Sequence, residues 1–151
     1  MPQPTRLLML LAVLLLACGG PEPLGGSDAP PDGVYEVLAV EREAGALPAA
    51  DAESRVLLHD RRYVRGGADL PPDHVLLRLP GFAPLELAQP PEHGETDGRP
   101  ALLLTLTPSA GQALTDLTTR ARHAAVVIGG QVVTVHRIRT PIEGGTLQVS
   151  C

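Results

Sequence analysis

The strongest constraint on the fold is a pair of adjacent glycines, Gly129-Gly130, placed between two runs of strand-forming residues. Ala125–Ile128 is apolar throughout, whereas apolar and polar side chains alternate along Val132–Ile138. Glycine reaches positive φ without steric cost, and a tight turn between two right-twisted strands requires that conformation. The pattern therefore predicts a β-hairpin with the two glycines at its turn.

The residues after the hairpin predict where its second strand ends and where a further strand begins. Pro141 has no N–H to contribute to a sheet ladder, so we expect the second strand to stop there. Gly144-Gly145 indicates another turn, and the apolar residues of Leu147–Val149 indicate a short final strand.

One main helix is predicted before the hairpin. Thr107 can cap free N–H groups, and Pro108 at the first helical position sacrifices no hydrogen bond. Apolar residues recur at spacings of three and four and form one face suited to packing on a sheet: Ala110, Ala113, Leu114, Leu117 and Ala121. Ala101–Leu106 indicates a buried strand. From Ala101 the predicted order is strand, helix, strand, strand, strand, which is an α+β fold with a small mixed sheet.

The preceding residues, 34–99, are predicted to be rich in β-structure. Sixteen glycines and sixteen prolines favour many short strands over a helical bundle. Short apolar runs predict strands at Val34–Val40, Arg55–His59 and His74–Leu79. Glu43–Glu53 fits a short helix or a loop, and Phe82–Ala88 a strand or a turn. Gln89–Pro100, rich in proline, glycine and charge, predicts an exposed loop.

The C-terminal third, residues 100–151, resembles the head subdomain of the large periplasmic domain of SecD and SecF, membrane subunits that assist protein export. The matching positions are Leu117-Thr118, Ala125–Ile128, Gly130, the segment from Ile138 to Ile142, and Gly144-Gly145. The sequence departs from the family's pattern at Gly129, where an acidic residue is common, and at His136, where a proline is common. The connection Thr119–Ala124 is also shorter. The resemblance implies a head-like fold that contacts emerging polypeptide.

The first seventeen residues predict a signal peptide. Arg6 precedes the eleven apolar residues of Leu7–Ala17, which are too few to cross a hydrocarbon core of about 30 Å as a helix. The run ends in a segment that resembles a bacterial lipobox, so we expect Cys18 to carry lipid and to become the first mature residue. Gly19, in place of an aspartate, favours the outer over the inner membrane.

Residues 18–33 are predicted to be a flexible tether, because one large apolar residue in the fifteen of Gly19–Gly33 cannot offset the entropy of ordering. Removing Arg6 with the signal peptide leaves eleven arginines against seventeen acidic residues. This balance argues against nucleic acid as a partner. With Cys18 lipidated, Cys151 would be a lone thiol, available for an intermolecular disulfide or merely tolerated.

No catalytic, cofactor or metal site is predicted. None of the histidines stands two to four residues from another histidine or a cysteine, as ligands of structural metals usually do: His59, His74, His93, His123 and His136. No serine has a nucleophile motif around it, and the Gly-Gly pairs lack the Lys-Ser/Thr of a phosphate loop.

The functional expectation is therefore a non-enzymatic binding module, held by lipid and facing the periplasm, that engages extended polypeptide or an envelope or export protein. On a strand, Arg137 and Arg139 share a face while Ile138 points the other way. That face is either solvated or an edge where a peptide adds by β-augmentation. Arg137, Arg139 and Thr146 are the candidate partner-binding residues. The alternative is a structural or accessory envelope lipoprotein without a retained ligand, suggested by Gly129 and His136.

Overall fold

In the part of the chain described by a computed structural model, residues 29–61, 70–96 and 98–150, five strands close into a small barrel and three form a second sheet. The predicted signal peptide, Cys18, most of the tether and Cys151 lie outside these residues. In chain order the elements are β1 (Gly33–Glu41), β2 (Ser54–His59), β3 (Asp73–Pro84), β4 (Glu92–Thr96), β5 (Arg99–Thr105), α1 (Pro108–Arg120), β6 (His123–Ile128), β7 (Gln131–Arg137) and β8 (Thr146–Ser150).

The barrel is built from β1, β2, β3, β6 and β7. β1 pairs antiparallel with both β3 and β6, and β3 pairs antiparallel with β2. β6 and β7 form a hairpin, and the barrel closes where β2 meets β7 in parallel at His59 and Val132. Strands from residues 34–99 and 100–151 therefore share one barrel. The division of the chain at residue 100 stays a prediction.

β6 is buried on both faces because its alternate residues enter two different cores. Ala125 and Val127 point into the barrel, whereas Ala124, Val126 and Ile128 contribute to the second core. The interior of the barrel is completed by Tyr35, Val75, Leu77 and Val132. This two-sided burial explains why the first strand of the predicted hairpin is a continuous apolar run rather than an alternating one.

The second core lies around α1 and the three-stranded sheet, in which β5 is flanked by β4 and β8. The Thr107 hydroxyl caps the helix by accepting a hydrogen bond from Ala110 N at 3.4 Å, and Pro108 is the first helical residue. The apolar face of the helix, with Leu114 and Leu117, is buried in one cluster with residues of the sheet and of β6, among them Leu102, Leu104, Val126, Leu147 and Val149.

The α+β fold predicted from the sequence is confirmed, with one main helix at the predicted place. The predicted hairpin is present, and Gly129 and Gly130 form its turn with φ values of 59° and 76°. Gly144 and Gly145, at φ 77° and 67°, form the turn that leads into β8. Glu43–Glu53, left open between helix and loop, contains a single 3-10 turn at Ala44–Ala46.

Two local predictions were wrong. Gln89–Pro100 is exposed as predicted, but it is not an irregular loop: it contains β4, which pairs with β5 and supplies hydrogen-bond partners for one edge of that strand. The second strand of the β6–β7 hairpin ends at Arg137, before Pro141: the Ile138 N–H still donates to Arg122 O at 2.9 Å in the extension of the ladder, and the chain bends directly after it.

Candidate functional site

The three-stranded sheet has two outer strands, β4 and β8, and each pairs only with β5 among the described residues. An outer strand presents a row of backbone N–H and C=O groups that another chain can pair with. The two edges differ in the side chains that accompany those groups, and this difference decides which edge is suited to a partner.

The β4 edge carries charge. Glu92, His93 and Glu95 are all exposed on this five-residue strand, and Gln89 donates a hydrogen bond to Glu92 Oε1 at 3.0 Å. Charged side chains on an outer strand are a common device against pairing with other chains. We therefore regard β4 as the protected edge of this sheet.

The β8 edge carries no charge and no proline. Its sequence is Thr-Leu-Gln-Val-Ser, with Leu147 and Val149 buried in the second core and Thr146 and Gln148 exposed. An outer strand without charge or proline, which contains the strand-favouring types Thr and Val and is backed by a packed core, has none of these protections against pairing.

The register of β8 identifies the backbone groups that face outward. Leu106 N donates to Gly145 O at 2.8 Å, and Leu106 and Gly145 are opposite each other in the extension of the β5–β8 ladder. In an antiparallel pair, residues alternate between those that bond to the neighbouring strand and those that point away from it. The backbone N–H and C=O groups of Thr146 and Gln148 therefore point away from β5.

The chain segment that leads into β8 is held firmly against α1. Thr115 Oγ1 donates to Ile142 O at 2.8 Å, and Ile142 N donates to Thr118 Oγ1 at 2.9 Å. Gly111 and Gly145 are so close that a Cβ atom on Gly111 would lie 2.9 Å from Gly145 Cα. The start of β8 is thus fixed by the helix, and its edge needs little ordering before it can bind a partner.

The candidate residues predicted from the sequence occupy three different places. Thr146 is the first residue of β8, opposite Thr105. Arg137 is the exposed last residue of β7, opposite His123, and Arg139 is exposed in the bend that follows. Because the strand ends at Arg137, the alternation that would put both arginines on one face does not extend to Arg139. Ile138 packs against the second core.

A polar cluster at one end of the barrel was not predicted as a unit. The Arg61 guanidinium donates two hydrogen bonds to the Asp73 carboxylate, and Asp73 lies opposite His59 in the β2–β3 register. His59 and Asp73 are each 6% exposed, and His59 Nε2 is buried without a hydrogen-bond partner. Burial lowers the pKa of His59. A surface pocket of about 440 Å³ opens beside the Arg61–Asp73 pair.

The remaining histidines are dispersed. His74 Nδ1 lies 3.1 Å from Arg42 O, and His136 Nε2 lies 3.1 Å from Thr134 Oγ1. His93 is on β4 and His123 begins β6. Across residues 29–61, 70–96 and 98–150, no group of three or more histidine, cysteine or acidic side chains is placed to hold a metal ion.

No helix in those ranges is long and apolar enough to cross a bilayer.

No protein-family model matches the chain, and no curated protein matches it. Among solved structures it is similar to SecDF, a translocon-associated membrane protein from Thermus thermophilus, at 16% sequence identity and a TM-score of 0.36. The match covers 94% of this chain and 31% of the SecDF chain, so the protein spans about a third of that structure's length.

Proposed function

We propose that the protein is a lipid-anchored, extracytoplasmic, non-enzymatic module that binds an extended polypeptide segment by adding it as a strand beside β8. The observation that carries this proposal is the β8 edge itself. It is uncharged, it is backed by buried Leu147 and Val149, and its outward backbone groups belong to Thr146 and Gln148. These features suit β-augmentation, in which an extended peptide adds as a strand to an exposed sheet edge.

The size of the edge sets the expected affinity. Each backbone hydrogen bond contributes a net stabilisation of about 0.5–1.5 kcal/mol, whereas association costs roughly 4 kcal/mol or more. The four outward groups of Thr146 and Gln148 would together contribute about 2–6 kcal/mol, which offsets at most the lower end of that cost. Apolar side chains of the added strand, on the face that Leu147 and Val149 occupy, must supply the rest. The polypeptide is therefore one with alternating aliphatic residues, and its binding is weak and tolerant of sequence.

A second candidate function is that of a structural or accessory envelope lipoprotein without a polypeptide ligand. It is favoured by the covered tip of the β6–β7 hairpin. Gly129 N donates to Asp32 Oδ1 at 2.8 Å, and a Cβ atom on Gly130 would lie 2.8 Å from Ala29 Cβ. The chain's own residues before β1 thus cover the hairpin turn at Gly129, the position at which an acidic residue is common in the head subdomain that the sequence resembles.

Site-specific photo-crosslinking in cells separates the two candidates. A crosslinker at Gln148 on the full chain should capture polypeptide, whereas one at Glu95 on the charged β4 edge should not. Equal capture at the two positions, or none at Gln148, would contradict binding at β8 and favour the structural role.

A pair of variants at one position tests whether the backbone edge is responsible. Gln148→Pro removes the outward N–H and keeps the ladder to β5, because that N–H does not bond to β5. We expect capture, read from a crosslinker at Thr146, to be lost in Gln148→Pro and kept in Gln148→Ala. Loss in both variants would show that the glutamine side chain, rather than the strand edge, binds the partner.

A further inference from the structure

One of the strand pairs that close the barrel, β2 with β7, is much shorter than the others, and we call it the seam. Four of its five strand pairs are antiparallel and extend over several consecutive residues. The fifth, between β2 and β7, is parallel and consists of the single pair His59 and Val132 among the described residues. Closure of the barrel at this seam therefore depends on one position.

The same position holds a buried imidazole that is incompletely hydrogen-bonded. His59 forms a hydrogen bond with the Val133 backbone, which ties its ring to β7, while Nε2 is buried without a partner. A neutral ring can tolerate this environment. A protonated ring would carry a charged N–H donor that has neither water nor an acceptor.

The charged groups around His59 only partly offset the cost of burying a charged ring: Asp73 and Asp60 favour protonation, Arg61 opposes it, and burial still lowers the pKa of His59. Asp60 and Arg61 follow it in the chain, and Asp73 faces it from β3, whereas β7 presents Val132 and Val133. The Asp73 carboxylate is already bound by the Arg61 guanidinium through two hydrogen bonds. A charged His59 would have to displace Arg61, which repels it, or reach water.

We propose that protonation of His59 opens the barrel between β2 and β7. Separation of this one pair is the smallest change that brings the charged ring into contact with water, because the longer antiparallel pairs hold the remaining strands together. Opening also frees the outer edge of β7, the strand that ends at the exposed Arg137. The seam thus opens in response to acid, and its opening exposes a second strand edge, that of β7, which is independent of β8.

Proton linkage determines how strongly opening of the barrel between β2 and β7 depends on pH. In the open state His59 is solvated and regains its ordinary pKa of 6.5, whereas burial lowers the pKa in the closed state. Between those two values, opening takes up one proton. The ratio of open to closed molecules therefore rises about tenfold for each pH unit of acidification, and it levels off below the closed-state pKa.

Amide hydrogen exchange measured by NMR on the full chain tests the proposal. From about pH 7.5 to about pH 5.5, a range that spans the ordinary titration of histidine, protection at Val132, whose N–H faces β2 across the seam, should fall relative to His59, Ala125 and Thr134, measured at the same pH. The N–H groups of these three reference residues face β3, β1 and β6. His59→Gln should abolish this relative loss, and His136→Gln should keep it. Unchanged protection at Val132, equal loss at all four amides, or persistence of the loss in His59→Gln would overturn the proposal.

A second measurement covers the case in which His59→Gln does not fold. The ring nitrogens of His59 in the unmodified chain can be titrated by ¹⁵N NMR. The midpoint of that titration should coincide with the midpoint of the loss of seam protection. A seam that opens at a pH where the His59 ring does not titrate would contradict the mechanism.

Discussion

At the scale of single residues, the most consequential positions are buried polar side chains whose partners lie far away in sequence. His59 and Asp73 are the clearest pair. The sequence places His59 beside Asp60 and Asp73 beside His74, and nothing local indicates that His59 and Asp73 lie opposite each other. Their pairing follows from the β2–β3 register, which is set by the burial of whole strands, so it could not be predicted from spacing.

A second, half-buried histidine provides a pH prediction for the free energy of unfolding. Burial lowers the pKa of His136 below its ordinary value of 6.5. Between those values the unfolded chain binds more protons than the folded chain, so stability is lost as the pH falls through that window. The contribution of one such histidine cannot exceed about 1.4 kcal/mol per pH unit.

Replacing the His136 ring should make the free energy of unfolding depend less on pH. Urea unfolding of His136→Gln between about pH 7.5 and about pH 5 should show a smaller loss of stability than the unmodified chain. His93→Gln, a change on the exposed β4 strand, is the matched control and should leave the slope unchanged. If the free energy of unfolding of His136→Gln depended on pH as steeply as that of the unmodified chain, burial of this ring would not contribute to the pH dependence.

At the scale of elements, α1 and the β6–β7 hairpin could be predicted because their signals are local. Thr107-Pro108 marks where the helix begins, and Gly129-Gly130 marks the turn. β4 could not be predicted in the same way. All but one of its side chains are exposed, so no alternation of apolar and polar residues reveals it. It is a strand because β5 needs a hydrogen-bonding neighbour, and that requirement comes from the sheet.

The contact between α1 and the segment before β8 is the element-scale interaction that we expect to matter most. Thr118 is buried, donates to Leu114 O at 2.8 Å and accepts from Ile142 N at 2.9 Å. Thr118→Val preserves the shape but leaves the Ile142 N–H without an acceptor. We expect it to destabilise the fold by about 1–3 kcal/mol, the cost of an unsatisfied buried donor.

Thermal and urea unfolding measure that cost, and the neighbouring threonine is the control. Thr119 is exposed and donates only to Thr115 O in its own helix, so Thr119→Val should change stability by less than about 0.5 kcal/mol. Similar effects of the two substitutions would mean that loss of a helical threonine, rather than loss of the contact with Ile142, is responsible.

At the scale of the whole molecule, the sequence predicted the α+β class but not the closed barrel. Apolar runs indicate strands and turns, but they do not say which distant strands pair. The β8 edge was only partly predicted. Thr146 was identified as a candidate, whereas the role of Gln148 needs the β5–β8 register. The arginines at 137 and 139 were grouped because the predicted strand was longer than the observed one.

The proposed lipid anchor yields a prediction for the whole molecule. Cys18→Ser removes the thiol that would carry lipid, so the variant should leave the membrane fraction while its fold is unchanged. Cell fractionation together with mass spectrometry of residue 18 measures this. An unmodified Cys18 in the membrane-bound protein would contradict lipid anchoring and would leave binding at β8 unaffected.

The pairing of β1 with β6 also has a consequence for how the protein reaches its native state. A ribosome makes β1 long before β6, so one edge of the first strand must wait for a neighbour that lies some ninety positions further along the chain, although its other edge can pair earlier with β3. Contacts this distant in sequence slow folding and leave early strands vulnerable to wrong partners. A nascent chain interrupted before residue 123 would therefore be a natural client for chaperones, even though most of its residues had already been synthesised.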